Sequence, residues 1–270
     1  MKKVVLAYSG GLDTSYCLKY LKNEKGYEVH TVLINTGGFD EAELAAIEKR
    51  AYDLGSAQHA NLTIVEKYYD KAIKYLIYGN VLKNNTYPLS VSAERVFQAI
   101  EAIKYAKSVG AEAIAHGSTG AGNDQIRFDL IFQTIAPEIE IITPIRDLKL
   151  SRQEEVDYLA KNGVHYSWEK AQYSINKGLW GTSVGGKETL TSHQALPSEA
   201  YPSQLSKEGE EKVTLEFKKG ELVAVNGKTD KPSNNIVALE KLANAYAIGR
   251  DTHVGDTIIG IKGRVGFEAA

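Results

Sequence analysis

The chain has 270 residues, and its 32 Lys and Arg side chains against 34 Asp and Glu give a formal net charge of −2 at pH 7. This balance excludes a protein that collects nucleic acid or anionic lipid through a bulk basic field, and the length suits one large or two smaller domains. The single cysteine, Cys17, excludes an intramolecular disulfide framework and favours a cytoplasmic location, and no apolar run approaches the ~20 residues of a membrane span.

The first part of the chain predicts alternating strands and helices, the pattern of βαβ units around a parallel sheet. Short apolar runs predict strands over 4–7, 28–34, 62–65, 113–116 and 139–142. Apolar side chains at helical spacing predict helices over 14–21, 40–54, 66–82, 92–109, 124–135 and 151–161. Asp40 is a predicted N-cap, and Ser151 forms a predicted capping box with Glu154.

Beyond about residue 168 the pattern changes to a Gly-, Ser- and Thr-rich run over 174–192, followed by a predicted hairpin. The hairpin pairs 212–218 with 221–226, and a helix over 234–248 and a strand over 257–261 follow it. We therefore predict an α/β fold in which a Rossmann-like parallel-sheet domain over 1–167 precedes a smaller α+β domain over 168–270.

A glycine-rich loop separates the first predicted strand from the first helix. Its residues are Ser9, Gly10, Gly11, Leu12, Asp13, Thr14 and Ser15. Glycine N–H groups without a blocking Cβ, nearby hydroxyls and the positive end of a helix favour binding of a phosphate. An ordinary turn with Asp13 or Thr14 as N-cap is the alternative, but a ligand is expected at this end of a parallel strand.

Two other nucleotide motifs are excluded. The segment 181–188 nearly matches a Walker A loop, but Glu188 stands where a Ser or Thr hydroxyl is needed and no buried strand precedes it. The pattern Gly-x-Gly-x-x-Gly is absent after the first strand, which argues against a nicotinamide or flavin oxidoreductase.

A second glycine-rich segment, 116–128, follows the fourth predicted strand and carries Asn123, Asp124 and Arg127. A carboxylate and a guanidinium at one helix start suit an amino acid, with Asp124 on the ammonium and Arg127 on the carboxylate. The alternative is a local i,i+3 ion pair between Asp124 and Arg127. Two such loops at one sheet edge favour the binding interpretation.

The first loop resembles the pyrophosphate-binding loop of N-type ATP pyrophosphatases. Tyr-Ser-Gly-Gly-Leu-Asp-Thr-Ser from Tyr8, with His-Gly-x-Thr-Gly-x-Gly-Asn-Asp-Gln-x-Arg-Phe from His116, resembles the argininosuccinate synthase family. The resemblance spans nearly the whole chain. It implies an adenine nucleotide alpha hydrolase-like fold and a cytoplasmic homotetrameric ligase of arginine biosynthesis. In that family ATP with Mg²⁺ adenylates the ureido oxygen of citrulline, pyrophosphate leaves, and the aspartate amine displaces AMP.

The resemblance also implies site residues. Those for ATP are Ala7, Tyr8, Ser9, Gly10, Gly11, Leu12, Asp13, Thr14, Ser15, Ile34 and Gly117. Those for aspartate are Thr119, Asn123 and Asp124, and those for citrulline are Tyr87, Ser92, Asn123, Arg127, Ser174 and Ser183. Asp13 is the candidate catalytic residue, as an orienter of the loop or the metal, and no metal-ligand set is predicted.

The chain departs from the family pattern at several of these places. Gly38 and Ala121 stand where the family has Gln and Lys near the nucleotide. Gly255 and Phe267 stand where it has Glu and Tyr on citrulline, and Asp256 is a candidate substitute for the Glu. Family chains also continue into a helical C-terminal arm used in oligomerisation, so we expect weak or concentration-dependent assembly.

Two alternatives stay open: another ATP pyrophosphatase synthetase, or a nucleotide-binding protein without turnover. Cys17 falls on the buried stripe of the first helix, which argues against a sulfur-transferring relative. His116 ends a buried strand, and we interpret it as a histidine with satisfied hydrogen bonds and not as a general base.

Overall fold

The computed structural model describes residues 1–120, 122–166, 173–257, 260 and 262–270. Five strands form a parallel sheet in the order β3-β2-β1-β4-β5. They are β1 (Lys3–Ala7), β2 (Glu28–Asn35), β3 (Gln58–Thr63), β4 (Ala113–Ala115) and β5 (Glu140–Ile142). The chain runs outward from β1 to β3 and returns to β4 beside β1. A crevice for ligands is therefore expected at the carboxyl ends of β1 and β4.

Helices cover both faces of this sheet. They are α1 (Leu12–Asn23), α2 (Glu41–Leu54), α3 (Val65–Tyr68), α4 (Lys74–Tyr78), α5 (Ser90–Ser108), α6 (Asp124–Ile135), α7 (Pro144–Leu148) and α8 (Arg152–Lys161). Val4 and Leu6 of β1 pack against α1, α2, α7 and α8, whereas Val5 between them packs against α5 and α6. Successive strand residues point to opposite faces, which explains the uninterrupted apolar strands.

The predicted helix caps are confirmed. The Glu43 N–H donates to the Asp40 carboxylate at 2.8 Å, and the Ser151 N–H donates to Glu154 at 2.8 Å within a capping box. Gly55 ends α2 with φ of 98°, in the left-handed region that favours glycine.

Two predicted elements of the first part differ from the structure. β3 is an edge strand, and it begins four residues before the predicted 62–65 because its polar residues hide it from an apolar pattern. The predicted helix 66–82 is three short pieces, in which a π-helical turn, Tyr69–Ile73, joins α3 to α4, and it ends before Gly79.

The second part of the chain contains two antiparallel sheets and one long helix. The strands are β6 (Ser174–Gly178), β7 (Gly181–Gly185), β8 (Leu215–Lys218), β9 (Glu221–Val225), β10 (Lys228–Thr229), β11 (Arg250–Asp256) and β12 (Lys262–Glu268), and the helix is α9 (Pro232–Asn244). The sheets have the orders β11-β12-β7-β6 and β10-β9-β8. The α/β fold with a smaller second α+β part is thus confirmed.

The hairpin of the second part is confirmed as β8 and β9, and its turn residues Lys219 and Gly220 both have positive φ, 52° and 83°. α9 overlaps the predicted helix 234–248 and ends four residues before the predicted end. Of the predicted strand 257–261, Thr257 and Gly260 lie in no strand and the other positions lie outside the described residues. The predicted boundary at 167/168 also lies outside them.

The second part packs on the first around Tyr68, Tyr69, Ile73 and Leu179, and the Trp180 Nε1–H donates to the Pro88 carbonyl at 3.0 Å. These contacts place the β6–β7 hairpin over the carboxyl end of the parallel sheet. None of the helices in the described part of the chain has the length and apolar composition needed to cross a bilayer.

Candidate active site

A cavity of about 850 Å³ opens at the carboxyl ends of β1 and β4. The β1–α1 and β4–α6 loops line one side, and residues of β6, β7, β11 and β12 line the other. Small-molecule pockets commonly occupy roughly 300–1,000 Å³. The crevice therefore has room for a nucleotide together with a small second ligand, and both parts of the chain contribute to it.

Most of the site residues that the sequence predicts lie in the wall of this cavity. They are Ala7, Tyr8, Ser9, Leu12, Asp13, Thr14, Ile34, Tyr87, Ser92, Gly117, Thr119, Asn123, Asp124, Arg127, Ser174 and Ser183. The cavity lining does not include Gly10, Gly11 or Ser15. The common location supports one shared site, and the individual ligand contacts stay predictions.

The β1–α1 loop owes its shape to its glycines. Gly10 has φ of +74°, and a Cβ there would lie 3.0 Å from the Ile47 side chain, so only glycine fits without strain. The N-cap of α1 is Gly11, which makes no side-chain capping bond. The predicted alternative of an ordinary cap by Asp13 or Thr14 is therefore wrong. An uncapped helix start suits an anion, because its N–H groups point outward.

Three side chains next to the β1–α1 loop, those of Tyr8, Ser15 and Cys17, are buried beneath it. Ser15 is fully buried, and its N–H donates to the Gly11 carbonyl at 3.0 Å. Tyr8 is 3% exposed, and burial raises its pKa to about 12. Cys17 is fully buried, which confirms its interpretation as a core residue. Ser15 can support the loop from below, whereas Ser9 and Thr14 present hydroxyls at its surface.

The β4–α6 loop is held by a chain of side-chain hydrogen bonds. His116 Nδ1 accepts from the Ser118 N–H at 3.2 Å, and its Nε2 lies 2.9 Å from Asp129. Arg146 donates to Asp129 at 2.7 Å and to Gln125 at 3.1 Å. Both ring nitrogens of His116 are thus occupied, which confirms that it is a satisfied strand-end histidine.

Gln125 completes this chain by binding the loop itself. Its Nε2 donates to the carbonyls of Gly120 at 2.6 Å and Gly122 at 3.2 Å. The glycine-rich loop is consequently tied to α6 and α7 through a glutamine that lies outside the cavity lining.

Asp124, at the start of α6, is shared by two arginines. Arg127 donates to its Oδ1 at 2.6 Å and Arg95 Nε to its Oδ2 at 3.0 Å, while Arg127 also donates to Ser92 at 3.0 Å. Burial alone would raise the pKa of Asp124, but the two guanidiniums hold it below its usual value. The local pair between Asp124 and Arg127 therefore exists, within a larger network that faces the cavity.

Arg95 and Glu94 on α5 belong to this network and were not predicted. Arg95 donates to Glu94 at 2.9 Å, to Gln98 at 2.7 Å and to Asn176 of β6, so it links the two parts of the chain. Burial raises the pKa of Glu94 to about 7, against the opposing charge of Arg95. The available signal was the helical spacing of three polar residues of α5, Glu94, Arg95 and Gln98, at positions i, i+1 and i+4.

The predicted citrulline end of the site has an aromatic wall. The Tyr87 ring lies between those of His253 and Phe267, with centroids 4.8 Å and 5.5 Å away. Phe267 is 4% exposed and Gly255 lines the cavity, while Asp256 lies beside it in the lining. The described part of this corner thus contains neither a carboxylate at position 255 nor a hydroxyl at position 267.

One departure from the family pattern has a steric cause. A Cβ on Gly38 would lie 2.0 Å from the carbonyl oxygen of Lys177 on β6, so no side chain fits there. The β6–β7 hairpin occupies the space instead. Ala121 lies outside the described residues.

Asp13 is the carboxylate that the first loop contributes to the cavity, and Glu155 of α8 lies behind it. Burial and the Asp13 carboxylate together raise the pKa of Glu155. Among the described residues, no group of three or more His, Cys, Asp or Glu side chains forms a metal site. A divalent cation here would need ligands from the nucleotide, as is usual for Mg²⁺ at phosphates.

Comparisons with known proteins agree with this architecture. The family model described as "Arginosuccinate synthase N-terminal HUP domain" matches residues 3–165, and that described as "Arginosuccinate synthase C-terminal domain" matches residues 173–270. The argininosuccinate synthase of Methanocaldococcus jannaschii is 39% identical over 267 residues, which cover 98% of this chain and 67% of that protein.

Two further relatives give the same result. The argininosuccinate synthase of Sulfolobus acidocaldarius is 36% identical over 98% of this chain and 68% of its own length. That of Xanthomonas campestris is 38% identical over 99% of this chain and 68% of its own length. The chain spans about two thirds of the length of these relatives.

Proposed function

Because the chain belongs to the argininosuccinate synthase family, we propose that it catalyses the ATP-dependent condensation of citrulline with aspartate. The products are argininosuccinate, AMP and pyrophosphate, and the intermediate is a citrullyl-adenylate. The observation that carries this proposal is the meeting of two glycine-rich loops, after β1 and β4, in one cavity of about 850 Å³. One loop suits an anion, and the other bears the charged network around Asp124.

In the first half-reaction the ureido oxygen of citrulline bonds to the α-phosphorus of ATP, and the bond from this phosphorus to pyrophosphate breaks. We propose that the N–H groups at the uncapped start of α1, with the hydroxyls of Ser9 and Thr14, hold the leaving pyrophosphate. Mg²⁺ bound to ATP would neutralise phosphate charge, and Asp13 is the carboxylate of the first loop that could face it.

In the second half-reaction the aspartate ammonium first loses a proton to water and becomes a nucleophilic amine. The amine nitrogen then bonds to the adenylated carbon, the bond from this carbon to the AMP oxygen breaks, and the nitrogen loses a second proton. We propose that Thr119, Asn123 and Asp124 bind aspartate. Asp124 is ionised and fixed between two guanidiniums, so its remaining lone pairs can accept from an ammonium. Holding the two substrates together removes most of the barrier by positioning.

A homo-oligomeric state and a cytoplasmic location belong to the same proposal. The family resemblance supports the first. The free, buried thiol of Cys17 suits a reducing compartment. Size-exclusion chromatography with light scattering at two protein concentrations tests the oligomeric state, and a monomer at both would reject it.

The test of the activity is pyrophosphate release from Mg-ATP with citrulline and aspartate, each omitted in turn. We expect sustained release only with both amino acids, and citrulline labelled with ¹⁸O in the ureido group should pass the label to AMP. Release with ammonia or glutamine in place of aspartate would indicate another synthetase of the superfamily. ATP binding without release would indicate a nucleotide-binding protein without turnover.

A further inference from the structure

Lys83 and His253 lie in one corner of the cavity, on two segments that are joined to each other. Lys83 begins a turn in which its N–H donates to the Tyr87 carbonyl at 2.8 Å and the Tyr87 N–H donates back at 3.0 Å. Asn84 in this turn donates to the Val254 carbonyl of β11 at 3.3 Å. The His253 ring stacks on Tyr87 at 4.8 Å and 20°. These contacts hold Lys83 and His253 on the same side of the cavity.

The His253 ring presents a polar edge to open space. A Cβ on Gly255 would lie 2.6 Å from His253 Nε2, so the imidazole occupies the volume that a side chain at 255 would fill. His253 is 7% exposed, and neither ring nitrogen has a hydrogen-bond partner within the described ranges of the chain. His253 lines the cavity, so its ring nitrogens are accessible to a ligand there. A ligand group at this edge would provide the missing partner.

The charge of this corner differs from that of the rest of the cavity. Arg95 pairs with Glu94 and Asp124, and Arg127 pairs with Asp124. In contrast, the Lys83 ammonium makes no ion pair with any described residue. Burial and the Lys83 charge lower the pKa of His253, which is therefore a neutral imidazole at pH 7 with one N–H to donate.

The Lys83 ammonium and the neutral N–H donor of His253 together attract a carboxylate. We infer that Lys83 and His253 bind the α-carboxylate of the ureido substrate, an inference that rests on the proposed function for the identity of that substrate. Lys83 supplies the charge and His253 supplies a directed hydrogen bond. Tyr87 holds the imidazole in place by stacking.

The experiment compares citrulline with its decarboxylated analogue, 4-ureidobutylamine, by calorimetric titration of the full chain in the presence of a non-hydrolysable ATP analogue. We expect Lys83→Met and His253→Leu each to weaken citrulline binding at least fivefold. Both variants should leave the dissociation constant of the analogue within twofold of its wild-type value, because the analogue has no carboxylate to lose.

Matched variants separate this effect from loss of the fold. Lys83→Arg keeps the positive charge and His253→Asn keeps a hydrogen-bond donor, so both should retain citrulline binding within about threefold. Lys228→Met removes a distant exposed lysine and is the control for loss of a surface charge. Equal weakening of both ligands, or unchanged citrulline binding, would overturn the inference. Carboxylate-dependent binding without pyrophosphate release would reject only the proposed function, whereas wild-type protein that fails to bind citrulline would reject both.

Discussion

The two glycine-rich loops of the cavity are held in different ways. The β1–α1 loop takes its shape from the backbone, with Gly10 at φ of +74° and a helix start at Gly11 without a side-chain cap. The β4–α6 loop is held from outside by Gln125, which binds the carbonyls of Gly120 and Gly122. A loop that offers backbone donors suits a phosphate, whereas a loop held by side chains can orient specific polar groups for an amino acid.

The difference extends to the charges around each loop. Arg50 donates to the Gly10 carbonyl behind the first loop, and Asp13 is the acidic side chain that this loop presents to the cavity. The second loop leads into the ionic network of Asp124, Arg95 and Arg127. A substitution in the first loop should therefore affect the nucleotide, and one behind the second loop should affect aspartate.

The largest effect is expected from Asp13→Ala in the first loop. We expect pyrophosphate release to fall by ~10²–10³-fold, the range for losing one group that stabilises developing charge. The thermal unfolding midpoint should stay close to that of the wild type, because Asp13 lies at the cavity surface and not in the core. The measurements are pyrophosphate release and circular dichroism on the same preparation.

Asp157→Ala is a matched control for this variant, since Asp157 is exposed on α8 away from the cavity lining. It should keep wild-type release. Retained turnover in Asp13→Ala would contradict the role of this carboxylate in the first loop.

Much of the first loop could be predicted from sequence because its information is local. Gly10, Gly11 and the start of α1 follow one another along the chain, and their position after an apolar strand indicates the edge of the sheet. The alternative of an N-cap at Asp13 or Thr14 is wrong because Gly11 takes that place, although Asp, Ser and Thr side chains usually cap helices.

The network behind the second loop could not be predicted in the same way. Arg95 donates hydrogen bonds to Asp124, which lies 29 residues away in the sequence, and to Asn176, which lies 81 residues away. No periodicity in the sequence encodes such pairs. The β11–β12 strands escaped prediction because Gly, Arg and Asp interrupt their apolar alternation. β11 carries His253, whose place in this corner appears only in the folded chain.

A smaller effect is expected from Gln125→Ala behind the second loop. The change removes two donors to the loop and one acceptor for Arg146, so the loop should lose its fixed orientation. We expect the KM for aspartate to rise by about tenfold, corresponding to about 1.4 kcal/mol, while the KM for ATP stays within twofold. Steady-state kinetics with each substrate varied in turn measures this separation.

Gln125→Glu sharpens the test, because it keeps an acceptor for Arg146 but cannot donate to the loop carbonyls. It should raise the KM for aspartate as Gln125→Ala does. Equal increases in the KM values for aspartate and ATP in both variants would show that the two loops are not independent.

The smallest effect is expected from Glu155→Gln, which tests the support of the first loop from α8. Burial and Asp13 raise the pKa of Glu155 above that in the unfolded chain, which is about 4.3. At a pH between the pKa values of the folded and unfolded chains, Glu155 keeps its proton in the folded chain and has lost it in the unfolded chain. The free energy of unfolding of the wild type should therefore fall as the pH rises through this window, by at most about 1.4 kcal/mol per pH unit from this group.

A glutamine stays neutral, so Glu155→Gln removes this contribution. The variant should match the wild type near pH 4 and become relatively more stable towards pH 8, as measured by urea unfolding at several pH values. Glu208→Gln, at an exposed position, should follow the wild-type curve throughout. A Glu155→Gln curve parallel to the wild type from pH 4 to pH 8 would contradict a raised pKa of Glu155 in the folded chain.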